Sequence, residues 1–515
     1  MRPAHGRALV GVPRRGRGGG GAYRGPRPRG APRLGHARAR RGPVRGGQRG
    51  RPASGGRDLG PRRRGPPGSR HGELRARRRA GRRGARGGPR VRLATLGRPV
   101  RRAARRPVPV AHLGSLLDMA LAARLDKLGT ETAFAVSLAA AEWGAKGHRI
   151  FPFHLGDLNI PTPSNVVAAM DAAIAAGKTG YCPAAGIPQL REALADDVGA
   201  RRGLRFEPSQ VVVQPGGKPV ITKFIQAIMN PGDEVLYPNP GYPIYESQIE
   251  YFGGVAKPYR YVPSATGFDI DLEHLRSLVG PRTRAIVYND LQNPIGAESS
   301  AAEREAIARL AIEKDLWVLS DEAYFEMRYS GASTSITQLP GMAERTVILY
   351  TFSKKFAMTG WRLGAAIAPA EVAAVIAKLN TNDESCTTHF VQYGGVEAIR
   401  GDQSSVARML DVLRERRDVA VRALNAMPGV SVHSPEAAFY LFPDVTDAMA
   451  RKGIGDLADF AQQALHATGV SFCTRRHFGR EQPGETRRHV RFAFSGIDAK
   501  DITEGLELLG RWIAA

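Results

Sequence analysis

Short apolar runs alternating with stretches of helical periodicity constrain this chain more than any other feature. Gln210-Val211-Val212-Val213 leads through a glycine turn into the helix-like segment Val220 to Met229. Further runs follow at Glu234 to Tyr237, Ala285 to Tyr288, Leu316 to Leu319 and Thr346 to Tyr350, with helical stretches such as Ser300 to Lys314 between several of them. Strands that are apolar throughout have both faces covered, so the pattern predicts an α/β fold with a mostly parallel central sheet. Reactive or turn-forming residues stand just past the C-terminal ends of these runs: Gly216-Gly217, Asn293, Asp321, and Ser353 with Lys354. In open α/β sheets that edge is where ligands bind, so one cleft is expected to collect them.

The composition of the whole chain misleads. Its formal charge is +27, yet residues 1–110 alone hold 34 Arg, no Lys and only the acids Asp58 and Glu73, about +32. The remainder sums to about −5, so the basic total says nothing about the partners of the folded part. Residues 1–115, rich in Arg, Gly, Pro and Ala, offer too little apolar surface to offset ordering entropy and are expected to be disordered. Three readings of this leader compete: an Arg-Gly arm that binds nucleic acid nonspecifically through phosphates, an organellar transit peptide, and GC-rich DNA translated upstream of the true start. The absence of lysine favours the third, which places the natural start near Met119, before an opening helix from Ala120 to Leu128, and makes the leader dispensable.

Beyond the leader, the expected organisation is an N-terminal part of a small domain over 116–165, a large domain over 166–392 and a small C-terminal α+β domain over 393–515. The last contains a long helix from Gln392 to Met427, strand-like segments Ala438 to Phe442 and His489 to Phe494, a helix near 456–468 and a terminal helix. Cys182, Cys386 and Cys473 form no CxxC or Cys/His pattern, which points to a reducing, cytoplasmic setting and away from a metal site. The sequence contains no uninterrupted apolar run of membrane-spanning length.

The most specific segment is Thr351-Phe352-Ser353-Lys354-Lys355-Phe356-Ala357-Met358-Thr359-Gly360-Trp361-Arg362-Leu363-Gly364. It resembles the cofactor-lysine signature of the class I and II aminotransferases of the fold-type I family, and the resemblance extends from about residue 120 to the end. It implies that pyridoxal 5'-phosphate is bound covalently through Lys354, with Thr351, Ser353 and Arg362 on the phosphate. The chemistry suits these residue types: a dianion needs a guanidinium fork and short hydroxyl donors, and a lysine that has lost its proton can serve as nucleophile and proton carrier. Outside such a motif, a Lys-Lys pair is solvated surface.

The resemblance places the other residues in turn. Asp321 would otherwise be a cap or turn residue; it is implied to pair with the pyridinium nitrogen, which lets the ring accept electrons. Tyr324 and Asn293 are implied to reach the phenolic oxygen. Gly216, Gly217 and Lys218 form the other half of the phosphate cradle, with amides at a helix N-terminus, and Lys218 meets an acidic substrate side chain in one branch of the family. Tyr242 is implied to stack on the cofactor face. Tyr181 is implied to reach the phosphate of a neighbouring subunit, which makes the unit a homodimer. Gly156 belongs to the substrate-side glycine segment, where Leu158-Asn159 departs from the usual pattern, and Arg491 aligns with the arginine that grips the substrate carboxylate. The loop Asn289-Asp290-Leu291-Gln292 and Pro219 also depart from the common pattern.

The expected function is transfer of the amino group of an L-amino acid, aspartate or glutamate in the first place, to a 2-oxo acid. A second reading is another reaction on the same cofactor, such as β-elimination, decarboxylation or oxidation. A third, a nucleic-acid-binding protein, rests on the leader alone, which lacks helix-turn-helix periodicity.

Overall fold

The computed structural model describes residues 121–129, 132–265 and 267–515. The expectations for the leader and for a start at Met119 lie outside these residues. Eight strands form the large sheet: β1 (Val211–Gln214), β2 (Glu234–Asn239), β3 (Val255–Ser264), β4 (Gly267–Ile270), β5 (Thr283–Tyr288), β6 (Trp317–Asp321), β7 (Thr346–Thr351) and β8 (Gly364–Ile367). Their order is β1-β8-β7-β6-β5-β2-β3-β4. The five strands from β7 to β3 are mutually parallel, while β8 is antiparallel to both β7 and β1, and β4 is antiparallel to β3. The mostly parallel sheet expected from the apolar runs is therefore present. What the runs did not reveal are β3 and β4 at one edge and β8, a Gly-Ala-Ala-Ile segment too bland to stand out.

Successive side chains of a strand point to opposite faces, so a strand buried on both sides feeds two cores. Val235 and Tyr237 of β2, Ala285 and Val287 of β5, and Leu319 of β6 join one cluster with Val220, Phe224 and Ile376 from the helices on that side. Leu236, Ile286, Tyr288 and Val318, in the alternate positions, join another with Ile307 and Leu310. The helix Ala301–Glu313 starts at Ser300, whose hydroxyl accepts from the Glu303 amide while Glu303 reaches back to the Ser300 amide, a reciprocal cap that satisfies two otherwise orphaned donors.

Smaller sheets come from the chain ends. Tyr440–Leu441, Val490–Ala493 and Cys473–Thr474 form an antiparallel three-stranded sheet, and Phe151–Pro152 pairs in parallel with Val470–Ser471. Two expectations are corrected. The long helix from Gln392 to Met427 is two helices, His389–Arg400 and Ser404–Asn425. The backbone becomes extended at Gly401, and Asp402 restarts the helix by accepting from the Ser404 amide and hydroxyl. The opening helix from Ala120 to Leu128 is a single 3-10 turn, Ala123–Lys127, with no buried side chain, so no packing extends it.

Candidate active site

Because β1, β2, β5, β6 and β7 run the same way, their C-terminal ends share one edge, and β8 begins there. A cavity of about 490 Å³ opens at this edge. Of the residues singled out from the sequence, Gly156, Gly217, Lys218, Tyr242, Asn293, Asp321, Tyr324, Thr351, Ser353, Lys354, Arg362 and Arg491 line it.

The β7–β8 connection brings most of the chemistry. Thr351 is opposite Gly364 across the antiparallel pair, so the intervening segment is confined to the sheet edge. Thr351 Oγ1 lies 2.9 Å from Ser353 Oγ. Ala357 and Arg362 hold left-handed backbone with φ of 51° and 52°, a conformation that costs non-glycine residues about 1 kcal/mol or more and persists where the surroundings enforce it. Arg362 donates from Nη1 to the Thr359 carbonyl at 2.7 Å. Gly216, with φ of 102°, lies so close to this guanidinium that a Cβ would stand 2.2 Å from Nη2. Only glycine lets the two halves of this corner meet. Gly217 and Lys218 open the helix Lys218–Ile228, whose first amides face the same corner.

Adjacent lysines part company here. Lys354 donates from Nζ to the Gly156 carbonyl at 2.8 Å, inside the cavity. Lys355 is bound to Glu326 at 2.8 Å and buried. The neighbouring acids separate in the same way. Glu322 is buried in an ion pair with Arg202 and accepts from Ser320 at 2.9 Å, whereas Asp321 faces the cavity. Burial raises the Asp321 carboxyl to about 6, against the opposing hydrogen bonds from Tyr245 Oη at 2.6 Å and the Ala323 amide at 3.2 Å and the nearby Lys354. Tyr324 is buried, its hydroxyl 2.7 Å from that of Tyr440; burial and that neighbour raise its pKa well above the usual value.

Arg491 reaches the site from the small three-stranded sheet, where it is opposite Cys473. Its guanidinium lies between the rings of Tyr440 and Phe478, 4.8 and 4.6 Å from their centroids. Nη1 donates to Asn293 Oδ1 at 3.1 Å and Nη2 to the His154 carbonyl at 2.5 Å. Its Nε is buried with no partner among the described residues. A buried unpaired donor on a charged group is costly, so such an atom suits an anionic ligand. At Gly156 a Cβ would lie 2.2 Å from Tyr440 Oη, so the glycine keeps this wall thin.

Tyr181 stands apart from the other candidates: it is 89 % exposed and not on the cavity wall. Lys218 Nζ lies 5.9 Å from the Tyr242 ring centroid. Tyr245, Tyr440 and His477 also line the cavity and were not singled out from the sequence. Tyr245 had a faint signal, the Tyr-x-x-Tyr spacing from Tyr242 into the helix Ile244–Tyr251. Tyr440 sits in an apolar run and reads as core, and His477 is one histidine among scattered ones. Among the described residues no His/Cys/Asp/Glu group could hold a metal ion, and no helix is long and apolar enough to cross a membrane.

Residues 152–509 match the family described as aminotransferase class I and II. A probable aspartate/prephenate aminotransferase of Aquifex aeolicus is 38% identical over 341 residues, 65% of this chain and 86% of that protein. An arginine–pyruvate transaminase of Pseudomonas aeruginosa is 33% identical over 342 residues, 66% of this chain and 86% of its own length. In three dimensions the chain is similar to the aspartate aminotransferase of Thermus thermophilus with maleate, at a TM-score of 0.70 and 32% identity, over 76% of this chain and 99% of that one.

Proposed function

The chain belongs to the class I and II aminotransferase family, and we propose that it moves the amino group of an L-amino acid to a 2-oxo acid with pyridoxal 5'-phosphate as cofactor. The observation that carries this reading is the meeting of Lys354, Asp321, Arg362 and Arg491 on one cavity, although they come from positions as far apart as 321 and 491. The residues fit the group. Arg362, Thr351, Ser353 and the amides of Gly217 and Lys218 would hold its phosphate, Tyr242 would pack on its ring, and Asn293 and Tyr324 would donate to its phenolic oxygen. Asn293 has its Oδ1 committed to Arg491, which leaves Nδ2 to donate.

When bound, the cofactor supplies a ring that accepts the electron pair left at the substrate α-carbon. Asp321 is a buried carboxylate steered by Tyr245, and its charge above pH 6 would keep the ring nitrogen protonated. Lys354, in its neutral form, takes the proton from the α-carbon and returns it. Arg491 holds the substrate carboxylate and thereby aims the Cα–H bond. Tyr440, Phe478 and Leu155 line the cavity wall beside it. Tyr181, exposed on this chain, would reach the phosphate site of a second copy, which supports a homodimer as the working unit.

The test is product analysis with a panel of amino donors: a 2-oxo acid formed in step with amination of the acceptor supports the reading, and ammonia release without that coupling sinks it. Replacing Arg491 by alanine is expected to weaken substrate binding by about 2–5 kcal/mol, the range for truncating one partner of a buried charged pair, with cofactor binding unchanged. Steady-state kinetics and cofactor titration check this, and an unaltered KM would move the carboxylate to another cation.

We further propose aspartate or glutamate as donor and 2-oxoglutarate as one acceptor. Lys218 on the cavity wall supports this, as does the similarity to the probable aspartate/prephenate aminotransferase of Aquifex and the aspartate aminotransferase of Thermus. Lys218→Ala is expected to lower kcat/KM for aspartate roughly tenfold to a hundredfold, the scale of a hydrogen bond to a charged group, while alanine is used as before. Equal kcat/KM for aspartate in both proteins would remove Lys218 from donor recognition.

A further inference from the structure

The strand Cys473–Thr474 runs into a 3-10 turn, Arg475–Phe478, which packs against Arg491 through the ring of Phe478. His477 is the third residue of that turn. The backbone N–H of Thr474 points at its Nδ1 at 3.0 Å, and Thr474 Oγ1 and the Thr474 carbonyl oxygen lie 2.9 and 3.2 Å from the same nitrogen. With the proton on Nε2, Nδ1 accepts from that backbone N–H and His477 closes the reciprocal cap of the turn. Burial, against the hydrogen bond with the Thr474 backbone and helped by the charge of Arg491, holds the ring below its ordinary pKa. The group is thus an imidazole whose Nδ1 is engaged by the turn, on the wall of the same cavity as Lys354 and Arg491.

Arg491 needs such a companion. Its Nη1 and Nη2 each donate to a protein acceptor, and its Nε is the buried atom without a partner. A carboxylate presents roughly four lone-pair sites, which a guanidinium engaged at both ends does not fill by itself. A second cation beside Arg491 would add repulsion, whereas a neutral N–H adds a donor without charge. We propose that His477 is a substrate-binding residue that donates Nε2–H to the amino-acid carboxylate held by Arg491. The inference rests on the reading of Arg491 given above. Because it concerns a group common to all amino donors, His477 contributes alike to each of them, in contrast to the side-chain selection proposed for Lys218.

The test uses the cofactor-loaded enzyme and propionate, a carboxylate with no second acceptor group, with binding followed by calorimetry. His477→Phe removes both the Thr474 cap and the donor. His477→Gln keeps both, since glutamine at the third position of such a turn satisfies the same backbone amide. The Phe variant is expected to bind propionate about tenfold to a hundredfold more weakly and to show a raised KM for alanine and aspartate alike with kcat little changed, and the Gln variant is expected to restore most of the affinity. The proposal is overturned if His477→Phe binds propionate like the parent, or if the loss is confined to donors with a side-chain acceptor. It is also overturned if Gln preserves the melting temperature without restoring binding. Should propionate bind through Arg491 and His477 while no 2-oxo acid forms, transamination fails as the reading and this inference stands.

Discussion

Replacement of Lys354 by alanine is expected to reduce turnover by roughly 10⁶-fold, the scale on which loss of a nucleophilic catalyst is felt. The expectation follows from position. Lys354 has its amine at the Gly156 carbonyl inside the cavity, within electrostatic reach of Asp321, and it is the cavity-lining lysine of the β7–β8 connection. Lys355 is the built-in control: its ammonium is buried against Glu326, so Lys355→Ala is expected to lower stability and leave the chemistry in place. Borohydride treatment followed by peptide mapping checks the assignment directly. Label on the Lys354 peptide is the expected outcome, and label on Lys355, or turnover that survives in Lys354→Ala, would refute it.

Asp321→Asn is expected to act in opposite directions on activity and stability. Loss of a preorganised charge at the reacting centre lowers turnover by about a hundredfold to a thousandfold. The same charge is unfavourable in the cofactor-free fold. Burial raises the carboxyl from 3.8 to about 6, so between those pH values the folded chain binds more protons than the unfolded one. Stability from this group therefore falls as pH rises through the window, and above pH 6 the ionised carboxylate costs up to roughly 3 kcal/mol. The asparagine variant without cofactor should melt higher than the parent at pH 8, and the difference should shrink towards pH 4, because Tyr245 can still donate to the amide oxygen. A pH-independent difference would show that Asp321 is not the titrating group. The proposed cofactor would reverse the balance by placing a positive partner beside the carboxylate, so that site chemistry is maintained at the expense of the scaffold.

Much of this protein was legible before folding, for a local reason. Runs such as Ala285 to Tyr288 and Thr346 to Tyr350 alternate between two apolar faces, and that period alone predicts a sheet covered on both sides. Parallel strands then bring their C-terminal ends to one edge, so the positions of Asp321, Lys354 and Gly217 follow from the order of elements. The limits are equally physical. β8 has small side chains and no pattern, although its antiparallel pairing with β7 is what folds Arg362 back onto Gly216. The helix break at Gly401 depends on a cap only two residues long, within a segment whose apolar spacing continues on both sides.

By itself the sequence determined the alternation of strand and helix, the edge at which reactive residues gather and, through its resemblance, the cofactor-lysine segment. Tertiary structure decided which of two adjacent groups faces the cavity, because Lys354 and Lys355, or Asp321 and Glu322, differ not in kind but in what distant residues present to them: Gly156 or Glu326, Tyr245 or Arg202. It also decided the contact of His477 Nδ1 with Thr474, the unpaired Nε of Arg491 and the closeness of Gly216 to Arg362. Each depends on contacts between residues that local periodicity does not connect, and burial multiplies the energetic consequence of every such contact.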